Sequence, residues 1–294
     1  MTSISTFNDT RQVVLITGCS SGLGRAMAVE FDSLPGYRVF ATARNLDSIR
    51  DLPSGIERVQ LDVTDRDSID RAIANITNET RGRIDILINN AGTNTAVGPL
   101  IDVDVDRVRK TFEPNFFGLI MVTQAVSPYM IRRRSGVIVN IGSTAGLTAL
   151  PFGATYSASK AAVHALSDAL RLELRGFGVK VVVVAPGAIK SSIADAGSKD
   201  LDFPADSFYG DVKDLIEYRA NFSQLGSPTP SAVFARNVRR AVTRPNPSAY
   251  LVTGKRSFTA LLAYYLPVWI KDLLVGRMFS IWRIGRSTPK DKRV

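Results

Sequence analysis

The sequence predicts an α/β fold, a doubly wound parallel sheet with helices on both faces, and three observations lead there. Short apolar runs alternate with helix-length amphipathic stretches from Val13 to Ala185. A glycine-rich turn, Thr17-Gly18-Cys19-Ser20-Ser21-Gly22-Leu23-Gly24, joins the first run to the first helix. Lys180-Val181-Val182-Val183-Val184-Ala185 is apolar after its first residue, as a central strand covered on both faces requires. With 294 residues, 45% of them hydrophobic, one large domain of the Rossmann type accommodates the chain.

Each element follows in order. Val13-Val14-Leu15-Ile16 reads as a buried strand, and residues 25–31 as the helix after the glycine turn. Backbone amides of such a turn can approach a pyrophosphate closely, and the helix dipole favours negative charge there, so Gly18, Ser20, Ser21, Gly22, Leu23 and Gly24 form a candidate dinucleotide cradle. A second strand, 37–42, ends at Ala43-Arg44-Asn45. An acidic residue at that point would bind the ribose of NAD, whereas an arginine can pair with the additional phosphate of NADP; Arg44 therefore favours NADP(H). A third strand, 58–61, leads to Asp62-Val63, and a helix spans 65–81. Strand four, 84–88, delivers Asn89-Asn90-Ala91-Gly92. Beyond residues 93–103 a long helix carries Asn115 to the basic turn Arg132-Arg133-Arg134, with a kink expected at Pro114. Those arginines lack aromatic interleaving or a second basic strip, so they read as a solvated turn and no nucleic-acid partner is expected.

Strand five, 137–142, opens the stretch that holds the chemistry. Ser143 follows it, and a helix from Ala154 brings Tyr156 and Lys160, four residues apart, to one face. A nearby ammonium favours a phenolate and lowers a pKa that is ordinarily about 10, so Tyr156 could act as acid or base while Ser143 hydrogen-bonds the reacting oxygen. The strand at 180–185 then delivers Pro186-Gly187-Ala188-Ile189-Lys190-Ser191. From 192 to 231 glycine, aspartate, serine and proline are frequent around a helical piece at 212–220, which reads as a substrate lid. A helix at 232–243 and an edge strand at 250–253 complete a domain spanning 1–254.

The glycine turn, the Asn-Asn-Ala-Gly turn and the Ser143/Tyr156/Lys160 set resemble the short-chain dehydrogenase/reductase family over roughly residues 12–254. That resemblance implies a catalytic triad of Ser143, Tyr156 and Lys160, with Asn115 as a fourth residue holding a water in a proton relay. It also implies an adenine contact at Asp62 and Val63, and Asn90 and Gly92 along the adenosine side. Ile189 would meet the nicotinamide carboxamide through its backbone, and Ser191 the ribose. Helices like that of Tyr156 often pack between subunits in the family, so a homodimer or homotetramer is expected. Phe152-Gly153-Ala154-Thr155-Tyr156 through His164, together with Leu266-Pro267-Val268-Trp269, is similar to fungal NADPH-dependent 1-acyldihydroxyacetone-phosphate reductases of lipid droplets and endoplasmic reticulum. Ketoreductases of steroids, retinoids and fungal secondary metabolites look similar over the same region. The small-molecule substrate is accordingly expected to be a ketone or alcohol, hydrophobic in character. A non-catalytic, membrane-associated NADP-sensing protein is the alternative of another class, which the complete polar set argues against.

Cys19 is the sole cysteine and His164 the sole histidine, so neither an intrachain disulfide nor a metal site is expected. Cys19 reads as a small residue of a tight loop or as a redox-sensitive thiol, and His164 as a packing residue. The polar first ten residues show no secretory signal, pointing to an intracellular, reducing setting. The net charge of +10 is concentrated at the end: from Gly254 onward nine basic residues face two acidic ones, a net +7. The tail, 255–294, mixes these with Phe258, Tyr264, Tyr265 and Trp269, in an uncharged run of 14 residues that is too short to span a bilayer. It reads either as a segment lying in a membrane or lipid-droplet interface, such as the cytosolic face of the endoplasmic reticulum, or as a helix packed on the protein's own body or a partner subunit.

Overall fold

The computed structural model describes residues 9–191, 204 and 207–285. Alternation along the first strand, β1 (Gln12–Ile16), sets the architecture: Val14 and Ile16 face one side, Val13 and Leu15 the other, and all four are buried. Around it lie β2 (Tyr37–Ala43), β3 (Glu57–Gln60), β4 (Ile86–Asn89), β5 (Gly136–Ile141), β6 (Val179–Pro186) and β7 (Tyr250–Thr253). Among the described residues these form one sheet in the order β3-β2-β1-β4-β5-β6-β7, parallel throughout. The strand order reverses between β1 and β4, where a crevice opens at the carboxyl ends.

Helix α1 (Gly22–Asp32) covers one face with Met27, Ala28 and Phe31, and α2 (Arg66–Thr80) covers the other with Ile69, Ile73 and Ile76. Phe31 is fully buried, which contributes about 1.5–3 kcal/mol. The bounds of α2 follow from its caps: Asp65 accepts from the Asp67 amide, and Arg81 ends the helix in the left-handed region at φ 55°. The single long helix expected around Asn115 is instead α3 (Val105–Phe112), a π-helical turn (Glu113–Phe117) and α4 (Gly118–Arg133). Pro114 has no N–H to continue the α ladder, and the widened turn absorbs the misfit while burying Asn115.

Helix α5 (Ala154–Arg175) packs beside β5 and β6 and begins at the crevice. The stretch expected as a lid lies outside the described residues at 192–203 and 205–206; its described part contains α6 (Lys213–Asn221), and α7 (Ser231–Val242) then covers the sheet next to α1. The tail forms α8 (Ser257–Tyr265) and α9 (Val268–Met278), separated at Pro267. Phe279 is fully buried with its ring 5.6 Å from Tyr218 and 5.5 Å from Phe222, Arg283 pairs with Asp214 at 2.7 Å, and the Thr148 hydroxyl donates to the Ala260 carbonyl. The tail therefore packs on the body through one side, while Phe258, Tyr265, Val268 and Trp269 remain 67–76% exposed.

Buried polar side chains tie the crevice strands to α5. Asn89 donates to Asn140 and Thr123, and Asn140 donates to Ser167, each at 2.9 Å. One turn nearer the crevice, the His164 ring accepts from the Ser143 amide at 3.3 Å and meets Tyr250 edge-on. Gly142 leaves room for it, since a Cβ there would lie 2.2 Å from Nε2. Burial, then the Lys160 charge, hold the His164 pKa down at about 4 against an opposing pull from Asp168. Between pH 6.5 and 4 the unfolded chain binds this proton and the folded chain does not, so the neutral ring's contribution is complete above 6.5 and is lost as pH falls. Thermal unfolding should reveal a loss of about 3 kcal/mol across that window, and His164→Gln should flatten the slope; an unchanged slope would remove His164 as its source.

Candidate active site

The glycine turn is shaped by what it must clear. Gly18 (φ 72°) and Gly22 (φ 57°) adopt left-handed backbone, and a Cβ on Gly18 would lie 2.7 Å from Ala91 Cα. Gly24 packs beneath, where a Cβ would lie 2.3 Å from the Gly18 carbonyl. Thr17 accepts from the Asn90 and Ala91 amides through its hydroxyl, and the Asn90 side chain donates back to the Thr17 and Gly18 carbonyls at 2.9 and 3.0 Å. Asn90 thus borders the crevice while its side-chain nitrogen braces the turn. Thr17 was not among the residues expected from sequence, because nothing in its local pattern reveals that a turn 73 residues away will close on it.

A cleft of about 1030 Å³ runs from this turn to the tail. Its first half is lined by Gly18, Ser20, Ser21, Gly22, Leu23, Arg44, Asp62, Val63, Asn90 and Gly92, its second by Ser143, Tyr156, Lys160, Ile189, Ser191 and Arg219. Two expected residues do not line it: Gly24, and Asn115, whose amide accepts from the Thr93 N–H at 2.7 Å and donates to the Thr93 carbonyl and Ser159 hydroxyl. Asn115 therefore locks the turn after β4 to α5. Arg44 is exposed at the end of β2, and Asp62 accepts from both the amide and the hydroxyl of Thr64. Ser191 and Ile189 are joined by Gln224, which accepts from one amide and donates to the other carbonyl.

At the centre, Ser143 leaves β5 in extended backbone and Tyr156 and Lys160 rise from the first turns of α5. The Lys160 ammonium is buried, donates to the Ile141 carbonyl at 2.9 Å and lies 5.8 Å from the Tyr156 ring centre. Burial brings its pKa down to about 8. The half-buried Tyr156 phenol is pushed up by the protein around it, with the Ser143 hydroxyl and the positive Arg219 acting in the opposite direction. The lysine was expected to lower this phenol. Here its head is drawn to a carbonyl, and the cation that acts on Tyr156 is Arg219 instead.

Arg219, on α6, is 7% exposed, and its guanidinium lies against Gly153, where a Cβ would sit 2.3 Å from Nη2. A sequence signal existed: Arg219 interrupts the apolar stripe of Leu215, Ile216 and Ala220. Cys19 is fully buried, donates to the Ile16 carbonyl, and has a thiol pushed up to about 12, as befits a small core residue. Glycines that leave room at the start of α1, an arginine at the end of β2 and the open cleft beyond them fit an extended dinucleotide phosphate with its reactive ring beside Tyr156.

Comparison with known proteins agrees with this geometry. Residues 12–202 match the family described as short chain dehydrogenase. The chain is 36% identical over 275 residues to the short-chain dehydrogenase ptmH of Penicillium ochrochloron, covering 92% of this chain and 99% of that one. It is 37% identical over 213 residues, 71% of each chain, to the NADPH-dependent 1-acyldihydroxyacetone phosphate reductase of Schizosaccharomyces pombe. The solved closed form of serine dehydrogenase complexed with NADP+ superposes with a TM-score of 0.72 at 29% identity, over 83% of this chain and 94% of that one. A parallel sheet whose crevice gathers a glycine cradle, a serine, a tyrosine and a lysine, matched along nearly its whole length, makes this chain a member of the short-chain dehydrogenase family.

Proposed function

We propose that this oxidoreductase uses NADPH to reduce the ketone of a hydrophobic, lipid-like molecule to a secondary alcohol. The observation that carries the reading is the meeting of Ser143, Tyr156 and Lys160 on the wall of one cleft whose other half is a dinucleotide cradle. When bound, the reduced nicotinamide supplies the hydride. Tyr156 gives the carbonyl oxygen its proton, and the Ser143 hydroxyl donates a hydrogen bond that orients and polarises the same oxygen. Lys160 holds positive charge beside the phenol and reaches the ribose, and Asn115 fixes the turn after β4 against α5. Gly18, Ser20, Ser21, Gly22, Leu23 and Gly24 hold the pyrophosphate, Asp62, Val63, Asn90 and Gly92 the adenosine, and Ile189 and Ser191 the nicotinamide side.

The apolar half of the cleft, with Leu150, Ala260, Ala263, Leu274 and Met278, suits an acyl or polycyclic body. The Schizosaccharomyces pombe relative supports 1-acyldihydroxyacetone phosphate as one substrate class; steroid, retinoid and polyketide-type ketones are the alternative. A non-catalytic NADP sensor would show no NADPH consumption with any of them. Phe117 on the π-helical turn leading into α4 and Leu172 on α5 are 48% and 61% exposed, and apolar surface on these elements supports a homo-oligomer. The exposed aromatic side of α8 and α9, beside Lys271 and Arg277, supports docking on an anionic membrane or lipid-droplet surface, with an intracellular location on the cytosolic side. Among the described residues no helix is long and apolar enough to cross a membrane.

Tyr156→Phe should retain NADPH binding within about twofold and lose more than about 99% of turnover in an NADPH-oxidation assay; substantial residual turnover would show that another group is the acid. Arg44→Asp should raise the KM for NADPH about 10- to 100-fold with little change for NADH, since one charge-assisted contact to the phosphate is lost. For the tail, full-length protein should float with phosphatidylserine-containing vesicles, and Tyr265→Glu with Trp269→Glu should abolish flotation without affecting turnover of a soluble ketone. These substitutions leave Phe279 in its pocket, which truncation would not; flotation that survives them would assign the exposed side elsewhere.

A further inference from the structure

A guanidinium is among the costliest groups to bury, and natural interiors pair it with an anion or saturate its donors. Arg219 has neither among the described residues. Its Nε is buried without a hydrogen-bond partner, and no ion pair reaches it. Of the acids on its own helix, Asp214 is held by Arg283 and Glu217 is exposed. The group is not buried in a packed core, however: Arg219 lines the cleft at the Tyr156 end, beside the first turn of α5. Lys160 and Arg256 line the same half, Arg256 being stacked on Phe222 and donating to its carbonyl. The described carboxylates bordering the cleft, Asp62 and Glu113, come from the loop after β3 and the π-helical turn, not from the elements around Arg219. The Tyr156 end is thus cationic, and it is continued by the apolar walls of α8 and α9.

We propose that Arg219 is the anion-binding residue of the substrate site, so that the ketone accepted here carries an oxyanion, a carboxylate or a phosphate, held by the guanidinium close to the carbonyl that Tyr156 protonates. The planar fork of donors suits either oxyanion in a two-point contact, and the low dielectric that makes the empty site costly makes the filled one strong. The substrate is then an amphiphile, with its anionic end against α6 and its apolar remainder toward the tail helices. Arg44 would serve the cofactor phosphate at the far end of the cleft, and Arg219 the substrate. The assignment rests on the reductase reading for the direction of the chemistry, but the anion site itself can be tested without turnover.

Full-length protein loaded with NADP+ is titrated calorimetrically with benzoate, phenyl phosphate and neutral benzamide. At least one of the two anions should bind 10-fold or more tightly than benzamide, and which one does so separates a carboxylate from a phosphate site. Arg219→Met, which removes the charge but keeps an unbranched chain of similar reach, should erase the preference while leaving NADP+ affinity within twofold. Gly153→Ala, which thrusts a methyl group at the guanidinium tip, should weaken it with the charge still present. Equal binding of anion and amide, a preference that survives Arg219→Met, or a 10-fold loss of NADP+ affinity would each overturn the assignment. In parallel, NADPH oxidation is followed with 4-oxo-4-phenylbutanoate and its methyl ester. The acid should show the higher kcat/KM, and Arg219→Met should remove that advantage mainly through KM. Anion binding that depends on Arg219, with neither ketone reduced, would sink the reductase reading and keep the anion site; equal reduction of acid and ester, indifferent to Arg219, would do the reverse.

Discussion

Asn140 occupies the point from which the rest of the crevice is measured. Its side chain joins Asn89 at the end of β4 to Ser167 on α5, inside a sheet whose buried groups are mostly aliphatic. Hydrogen bonds in such surroundings are strong when made and leave a penalty of about 1–3 kcal/mol per orphaned group when broken. The relay therefore tolerates one register of β4 against β5 and one height of α5 against both. The height of α5 in turn decides where Lys160 meets the Ile141 carbonyl and where His164 meets the Ser143 amide. A serine at the end of a strand and a tyrosine on a helix 13 residues later come together because neither element can slide.

The two arginines of the cleft illustrate how much the surroundings decide. Arg44 is exposed, so its attraction for a phosphate would be screened by water and salt, and on the proposed reading it would contribute choice between cofactors more than raw affinity. Arg219 is 7% exposed and has no anion among the described residues, so its charge is expressed in a low dielectric where Coulomb energies are several times larger. On the proposed reading the same formal charge is therefore a discriminator at one end and a principal determinant of substrate at the other.

Much of this was legible in the chain itself, for identifiable reasons. Gly18 and Gly22 announce their turn because only glycine adopts positive φ there without strain, and the caps of α2 are written in Asp65 and the residues after Thr80. The spacing of Tyr156 and Lys160 predicts one helical face, which the helix provides, but the pair stands out only beside the glycine turn and the Asn-Asn-Ala-Gly turn. Where the outcome depends on distant partners, sequence was silent. Pro114 signals an interruption but does not say that a π-helical turn will absorb it. Arg219 is one of four charged residues in a nine-residue helix, and its meaning appears only once Gly153 and the cleft lie beside it. The tail shows the same dependence: Phe279 and Trp269 look alike in composition, yet Tyr218 and Phe222 bury one ring and leave the other in solvent.

The direction of the Tyr156 shift bears on what the proposed chemistry asks of it. A phenol pushed upward is protonated at neutral pH, which is the state a proton donor must occupy before a carbonyl is reduced. The cost is a weaker acid, and it is met by what the site does to the other partner: hydride arrival makes the carbonyl oxygen an alkoxide far more basic than any phenolate, so the proton still moves downhill. On the proposed reading, Lys160, whose pKa burial brings down to about 8, would add its charge to that of Arg219 in stabilising the phenolate that this transfer leaves behind. On that reading the lysine would act after the proton has gone rather than before. The resting position of its head, donating to the Ile141 carbonyl and 5.8 Å from the Tyr156 ring centre, is compatible with that order of events.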